Sequence, residues 1–334
     1  MGKCLCYDTN RIRIPCAVFG IDDYGKGVAM LKRILPLILI AVFLLSACTP
    51  GGQSVADLNA SMPTESTEPT ETTTQKDDAI LKVLMIGNSF SVDTMTFFWH
   101  IAKDLGAKKV IAGNLYIGGC DLMSHAQNIK DNAPGYTYYL NKKGVWLTEP
   151  NVSACEIIES ENWDYIVMQQ ASHHSGCSDT YYPYVQEMID YVKEKCPNAK
   201  LLWNMTWAYD TDSDHWAFAL YEKDQMVMYN AIVTTVQKGI VTNDAFYAVI
   251  PNATAVQNGR TSSVLAGNLT RDGYHLSGTV GRYLAGLTMA ATIIDSNLTG
   301  LTWKPDTVTE AEMEAALIAA KNAITNPFEV TPAE

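Results

Sequence analysis

Five short apolar runs, spaced by stretches long enough for a helix, constrain this chain more than any other feature. They lie at 81–86, 110–116, 165–169, 200–205 and 246–250. Each has the length of a strand buried on both faces. The helical stretches lie near 94–105, 152–160, 180–195 and 216–239. Consecutive parallel strands need crossovers of a dozen residues or more, usually helical. The pattern therefore predicts a three-layer α/β/α domain around a five-stranded parallel sheet. Reactive groups in such sheets collect at the carboxyl ends of the strands. Residues 136–140 and 145–148, joined by Asn141-Lys142-Lys143-Gly144, predict a hairpin inserted between the second and third strands. Apolar helices are expected at 278–294 and 309–324. With 47% hydrophobic and 10% aromatic residues the chain can fill a sizeable core.

The first eighty residues have a different character. Lys32 and Arg33 precede the apolar run Ile34–Leu45 and then Ser46-Ala47-Cys48, the order of a charged region, an apolar region and a small-residue cleavage site in an export signal. The run is shorter than the roughly 20 residues a spanning helix needs. Leu45-Ser46-Ala47-Cys48 resembles a bacterial lipobox, which implies lipidation of Cys48 and an extracytoplasmic protein tethered to the cell envelope through its N-terminal lipid. Residues 1–29 read as an extended n-region or as the product of a misplaced start, with Met30 the natural initiator. Residues 49–78 are rich in Thr, Ser, Pro and Glu, carry six acidic residues against one lysine, and cannot bury enough apolar surface to fold. The expected organisation is 1–48 extension and signal, 49–78 disordered linker, and 79–327 folded domain.

The formal net charge of −12 excludes a general nucleic-acid binder, which needs a basic surface. Four of the eight cysteines fall in the domain: Cys120, Cys155, Cys177 and Cys196. None of their spacings is that of metal ligands, and both disulfides and free thiols fit the sequence.

Ser89 follows the first strand at the turn into a helix, where its hydroxyl is exposed and backbone N–H groups can meet an oxyanion. A serine after Gly-Asn is equally a helix cap. The second half of the pattern lies far downstream. In Asp272-Gly273-Tyr274-His275 the carboxylate is placed to accept the Nδ1 proton of His275 and leave Nε2 as a base. Parallel topology would bring the two segments together.

Ile86-Gly87-Asn88-Ser89-Phe90-Ser91 resembles the first block of SGNH (GDSL-type) hydrolases, and Asp272-x-x-His275 resembles their last. The similarity spans about 79–300 and is nearest to a branch of exported bacterial proteins. It implies a flavodoxin-like sheet, no cofactor, and ester hydrolysis with Ser89 as nucleophile, His275 as general base and Asp272 as its orienter. The oxyanion hole would comprise the N–H of Ser89, that of Gly119 (with Gly118 as its rival in Ile117-Gly118-Gly119-Cys120-Asp121), and a side-chain donor. The family's Gly-x-Asn-Asp block reads Gln169-Gln170-Ala171-Ser172-His173-His174 here, which points to Gln170, ahead of Gln169, with His173 at the Asn position as the alternative.

Around this core, Asn88, His173, Trp207 and Arg260 are candidate substrate contacts. Arg260 would serve equally to pair a carboxylate. Trp203, Trp207, Tyr209, Tyr181, Tyr182 and Tyr184 form either a platform for sugar rings or part of the core. His173-His174 with Asp121 and His125 has metal-compatible side chains without a metal-binding spacing, so no metal is assigned. These readings converge on an exported serine esterase acting on acylated carbohydrate or another small ester. A non-catalytic glycan-binding lipoprotein is the alternative, and a metal-dependent hydrolase a lesser one.

Overall fold

The computed structural model describes residues 80–294 and 296–334. The signal, the lipidation candidate Cys48 and the linker lie outside them. In chain order the elements are β1 (Ile80–Gly87), α1 (Ser89–Met95), α2 (Phe98–Asp104), β2 (Lys109–Tyr116), α3 (Leu122–Lys130), β3 (Tyr136–Asn141), β4 (Trp146–Val152), α4 (Ala154–Glu159), β5 (Tyr165–Met168), α5 (Tyr184–Lys195), β6 (Lys200–Asn204), α6 (Gln225–Gly239), β7 (Phe246–Ile250), α7 (Asn252–Gly259), α8 (Val280–Ile294) and α9 (Glu310–Thr325).

All seven strands form one sheet in the order β4-β3-β2-β1-β5-β6-β7. The five apolar runs are its parallel strands β1, β2, β5, β6 and β7. The hairpin stands between the second and third parallel strands in the chain, as expected, but it extends the sheet: β3 pairs antiparallel with the edge of β2 and β4 with β3, so five strands become seven. The free edge of β2 explains this, because its unpaired N–H and C=O groups accept any strand returning beside it.

From β1 the chain moves outward to β2, and after β5 it moves the opposite way to β6 and β7. Right-handed crossovers in opposite directions place their helices on opposite faces. Accordingly α1 and α2 pack with α8, and α8 with α7 and α9, while α3 packs with α4 and α5. Sheet residues Val83, Leu84, Met85 and Ile86 are fully buried between these layers. The reversal of direction beside β1 opens a crevice at the carboxyl ends of the strands.

Two helical expectations change in detail. The stretch at 94–105 is two short helices, the first starting at Ser89. At 216–239 a 3-10 turn over Trp216–Tyr221 breaks at Glu222 and Lys223, both at positive φ, before Asp224 caps α6. Helices α3 and α7 were not anticipated, being short and interrupted by polar residues. Among the described residues the four cysteines are free thiols, and no helix is long and apolar enough to cross a membrane.

Candidate active site

The site begins at the end of β1. Asn88 caps α1, its Oδ1 accepting from the Phe90 N–H at 3.1 Å, and this turn presents Ser89 to the crevice. Its partner arrives from a loop 186 residues away, where His275 Nε2 lies 2.8 Å from Ser89 Oγ. Asp272 Oδ2 stands 2.7 Å from His275 Nδ1, and its Oδ1 accepts the backbone N–H groups of His275 at 2.7 Å and Tyr274 at 3.2 Å. Burial alone would raise the Asp272 carboxyl, but these bonds outweigh it and hold its pKa below the usual carboxylate value. The ionised carboxylate fixes the proton on Nδ1 and leaves Nε2 to accept from the serine hydroxyl.

The crevice holds a pocket of about 330 Å³, lined by Ser89, Gly118, Gly119, Ser172, His173 and His275 among others. Gly119 sits at φ 64°, a left-handed conformation that side chains disfavour. Among the described residues neither the Ser89 nor the Gly119 N–H donates to another group, so both are free for a ligand.

The expectation for Gln170 is corrected. Its amide nitrogen donates to Thr180 O and Thr180 Oγ1, both at 3.1 Å, while its oxygen accepts from the Leu122 and Ala171 N–H groups. This side chain stitches loops together and does not line the pocket. Gln169 is equally occupied, donating to Asn88 Oδ1 and accepting from Asn204 Nδ2, each at 3.0 Å, and Asn252 continues the chain to Asn204 at 2.8 Å. These buried amides bridge the carboxyl ends of β1, β5, β6 and β7 and hold the Ser89 turn rigid. Of the third-block residues with a donor side chain, Ser172 and His173 reach the pocket wall. Ser172 Oγ is paired with Tyr209 Oη at 2.9 Å, which leaves the His173 imidazole as the third donor candidate. Burial, with neighbouring His174, holds His173 below the ordinary imidazole pKa.

Other candidates sort by what packs around them. Asn88 lines the pocket, but its Oδ1 has two donors and its Nδ2 donates to Cys120 O at 3.0 Å, so it is a scaffold. Trp207 is fully buried, stacked 4.3 Å from Phe90, with its N–H on Tyr274 O at 2.7 Å. It supports Ser89 and His275 from behind and cannot meet a sugar. Trp203, Tyr181 and Tyr209 are likewise core, and Tyr182 is tied to Gly239 O. Arg260 pairs with Asp210 at 2.5 Å and Ala208 O at 2.9 Å and lines a separate cleft of about 840 Å³ behind the Asp272–Tyr274 segment. His125 is fully buried with its Nδ1 2.8 Å from Tyr136 Oη, and it does not join Asp121, His173 and His174, whose ligand-type atoms do converge.

Two residues escaped the sequence reading. Trp216 is 70% exposed, with its ring 5.7 Å from those of His173 and His215 at the pocket rim. Asp93 on α1 is fully buried. It accepts from Arg282 Nε at 2.8 Å, Arg271 Nη1 at 3.2 Å and the Leu276 N–H at 2.9 Å, and Arg271 also donates to Leu276 O. The helix that starts with the serine is thereby locked to the segment that carries the histidine. Asp93 follows Ser89 by four residues, but its partners lie 178 and more residues away.

Comparison with known proteins extends the picture. No curated protein matches the chain. A DUF4886 family protein from Bacteroides uniformis is 38% identical, covers 76% of this chain and 98% of its own, and superposes with a TM-score of 0.72. More distant are a candidate SGNH hydrolase from Slackia heliotrinireducens (22% identity, 64% and 100% coverage, TM-score 0.43) and a carbohydrate esterase family 3 protein from Talaromyces cellulolyticus (12%, 64% and 97%, TM-score 0.41). The family described as Domain of unknown function (DUF4886) matches residues 82–323. With most of the folded chain matched and a well-superposed relative at this identity, the chain belongs to the DUF4886 family.

Proposed function

We propose that this chain is a serine ester hydrolase of the SGNH type that removes small acyl groups, acetyl foremost, from carbohydrate outside the cytoplasmic membrane. The observation that carries the reading is the continuous relay Ser89–His275–Asp272, with successive separations of 2.8 and 2.7 Å. His275 Nε2 takes the hydroxyl proton as Ser89 Oγ attacks the acyl carbonyl carbon. The tetrahedral oxyanion forms against the N–H groups of Ser89 and Gly119, with His173 as side-chain donor. As the carbon–oxygen bond to the leaving alcohol breaks, His275 returns the proton to that alcohol. Water, activated by the same imidazole, then releases the acid and restores Ser89.

Trp216 supports a sugar substrate. Its exposed ring beside the pocket offers the flat apolar face on which a pyranose stacks, a role that the buried Trp207 cannot fill. The anchor rests on the charge, apolar run and Leu-Ser-Ala-Cys order of residues 32–48. Labelling with a radioactive fatty acid is expected in the wild type and lost in Cys48→Ala.

The deciding experiment is hydrolysis of 4-nitrophenyl acetate and acetylated xylo-oligosaccharide by the full chain, Ser89→Ala and His275→Ala, with and without EDTA. Turnover that falls about 1000-fold or more in both variants and is indifferent to chelator is expected. Equal rates in all three proteins would end the serine-hydrolase reading.

A further inference from the structure

The loop after β2 and the loop after β5 flank the end of β1 from opposite sides, because β2 and β5 are its two neighbours in the sheet. Each contributes ligand-type side chains to one point. A carboxylate oxygen of Asp121, an imidazole nitrogen of His173 and one of His174 all lie within 4.8 Å of one another.

We infer that Asp121, His173 and His174 form a zinc-binding site that clamps these two loops beside the Ser89 pocket. The inference shares His173 with the esterase reading but does not rest on it: one ring nitrogen would ligate the ion while the other keeps its N–H toward the pocket, and the ion is assigned no step in acyl transfer.

Three features support it. First, the closest pair has the right spacing. Zinc–nitrogen and zinc–oxygen bonds of about 2.0–2.2 Å put neighbouring ligands of a tetrahedral ion about 3.3–3.5 Å apart, and His174 Nδ1 lies 3.5 Å from Asp121 Oδ2. Closing the remaining gap to His173 needs less than about 1.5 Å, within the reach of an imidazole rotation. Second, the ligand atoms are available. Asp121 spends Oδ1 on capping α3, accepting from the Ser124 N–H at 2.9 Å, which orients the carboxylate and leaves Oδ2 for a metal. Among the described residues His174 Nδ1 has no hydrogen-bond partner despite its buried position. Third, the backbone that carries the ligands is held. Tyr221 Oη donates to His173 O at 3.1 Å, the His174 N–H to Ala171 O at 2.9 Å, and the Leu122 N–H to Gln170 Oε1 at 3.0 Å across the two loops.

Two imidazoles and one carboxylate are a donor set suited to zinc, and three protein ligands leave a position for water. The His174 and Asp121 side chains are 30% and 15% exposed, so they lie at the loop surface although Nδ1 itself is covered.

The test is direct metal binding. The full chain, stripped of metal, is titrated with ZnCl₂ in competition with a chromophoric zinc chelator, beside His174→Ala, Asp121→Asn and Ser89→Ala. Asparagine keeps the helix cap while removing the charged ligand, so a loss in that variant is not a loss of fold, and circular dichroism verifies this for His174→Ala. The wild type and Ser89→Ala are expected to bind about one equivalent with matching affinity, and each ligand variant to bind roughly tenfold or more weakly. Zinc is also expected to raise the Tm of the wild type but not of His174→Ala. A wild type without a stoichiometric site overturns the inference, as does undiminished binding in both ligand variants.

Discussion

Asp93 links the serine helix to the histidine loop, so removing its carboxylate tests how the two halves of the site are held in register. In Asp93→Ala three charge-assisted contacts disappear at once, from Arg282, Arg271 and the Leu276 N–H. Each is worth about 1.5–3 kcal/mol where desolvated, a sum of roughly 4.5–9 kcal/mol if nothing relaxed. Arg271 and Arg282 retain 39% and 24% of their side-chain exposure, and water will recover part of their solvation. The expected loss is therefore about 3–5 kcal/mol, the range found when one partner of a buried pair is removed. Urea unfolding followed by circular dichroism measures it. Asp93→Asn, which keeps an acceptor for Leu276 but no charge, should lose less stability. Because Leu276 adjoins His275, displacement of the loop by even about 1 Å should lower kcat roughly 100-fold with little change in KM. Kinetics are measured where each variant is demonstrably folded. A stability change under about 1 kcal/mol in Asp93→Ala, together with wild-type kcat, would refute the idea that this pair sets the register.

Four further outcomes are expected. Asp272→Asn should lower kcat by roughly 10²–10⁴ because the amide no longer selects the productive imidazole tautomer, and steady-state kinetics would show KM little altered. Trp216→Ala should raise KM for an acetylated oligosaccharide about five-fold or more, from an aromatic contact worth about 1 kcal/mol, yet leave 4-nitrophenyl acetate unaffected; parallel loss on both substrates would contradict a sugar platform. Trp207→Ala should cost about 3–5 kcal/mol in denaturant unfolding, since it empties a buried site behind Phe90. The fourth concerns pH. Burial holds His125 down to about 4, only partly offset by the charge of Asp121. Its folded pKa is below the ordinary 6.5, so the unfolded chain binds the extra proton first and stability is lost as pH falls through the window from about 6.5 to 4. The loss amounts to about 3 kcal/mol from this residue alone, and His173 and His215 add to it in the same direction. Unfolding free energies of wild type and His125→Asn between pH 7 and 4 should converge on acidification; parallel curves would show that His125 does not drive the slope.

The elements that could be read from the chain are those whose signal is local. A buried parallel strand is a short apolar run wherever it occurs, and all five parallel strands stand where such runs predicted them. The turn chemistry of Gly87-Asn88-Ser89 and the i, i+3 relation of Asp272 and His275 are likewise contained in a few consecutive residues, which is why these three side chains were nameable in advance. The hairpin was legible as a hairpin, but its attachment to β2 was not, because an edge is defined by the whole sheet.

What the tertiary structure decided are relations between distant segments and the exposure that follows from them. Trp207 and Trp216 are the same residue type in the same stretch, yet Phe90 and Tyr274 pack over the first while among the described residues the second stays largely exposed. Gln170 and His173 differ by three positions, and the claim of Thr180 on the Gln170 amide leaves the imidazole at the pocket wall. Asp93 gains its meaning only from guanidinium groups brought back by α8 and the loop before it. The sequence by itself determined the strands and the chemical inventory, because backbone propensity and side-chain type are properties of single residues and their neighbours. Which hydroxyl meets which imidazole, and which donor remains unspent, depended on packing, because every hydrogen-bonding group in a desolvated crevice has a limited number of partners and the fold chooses among them.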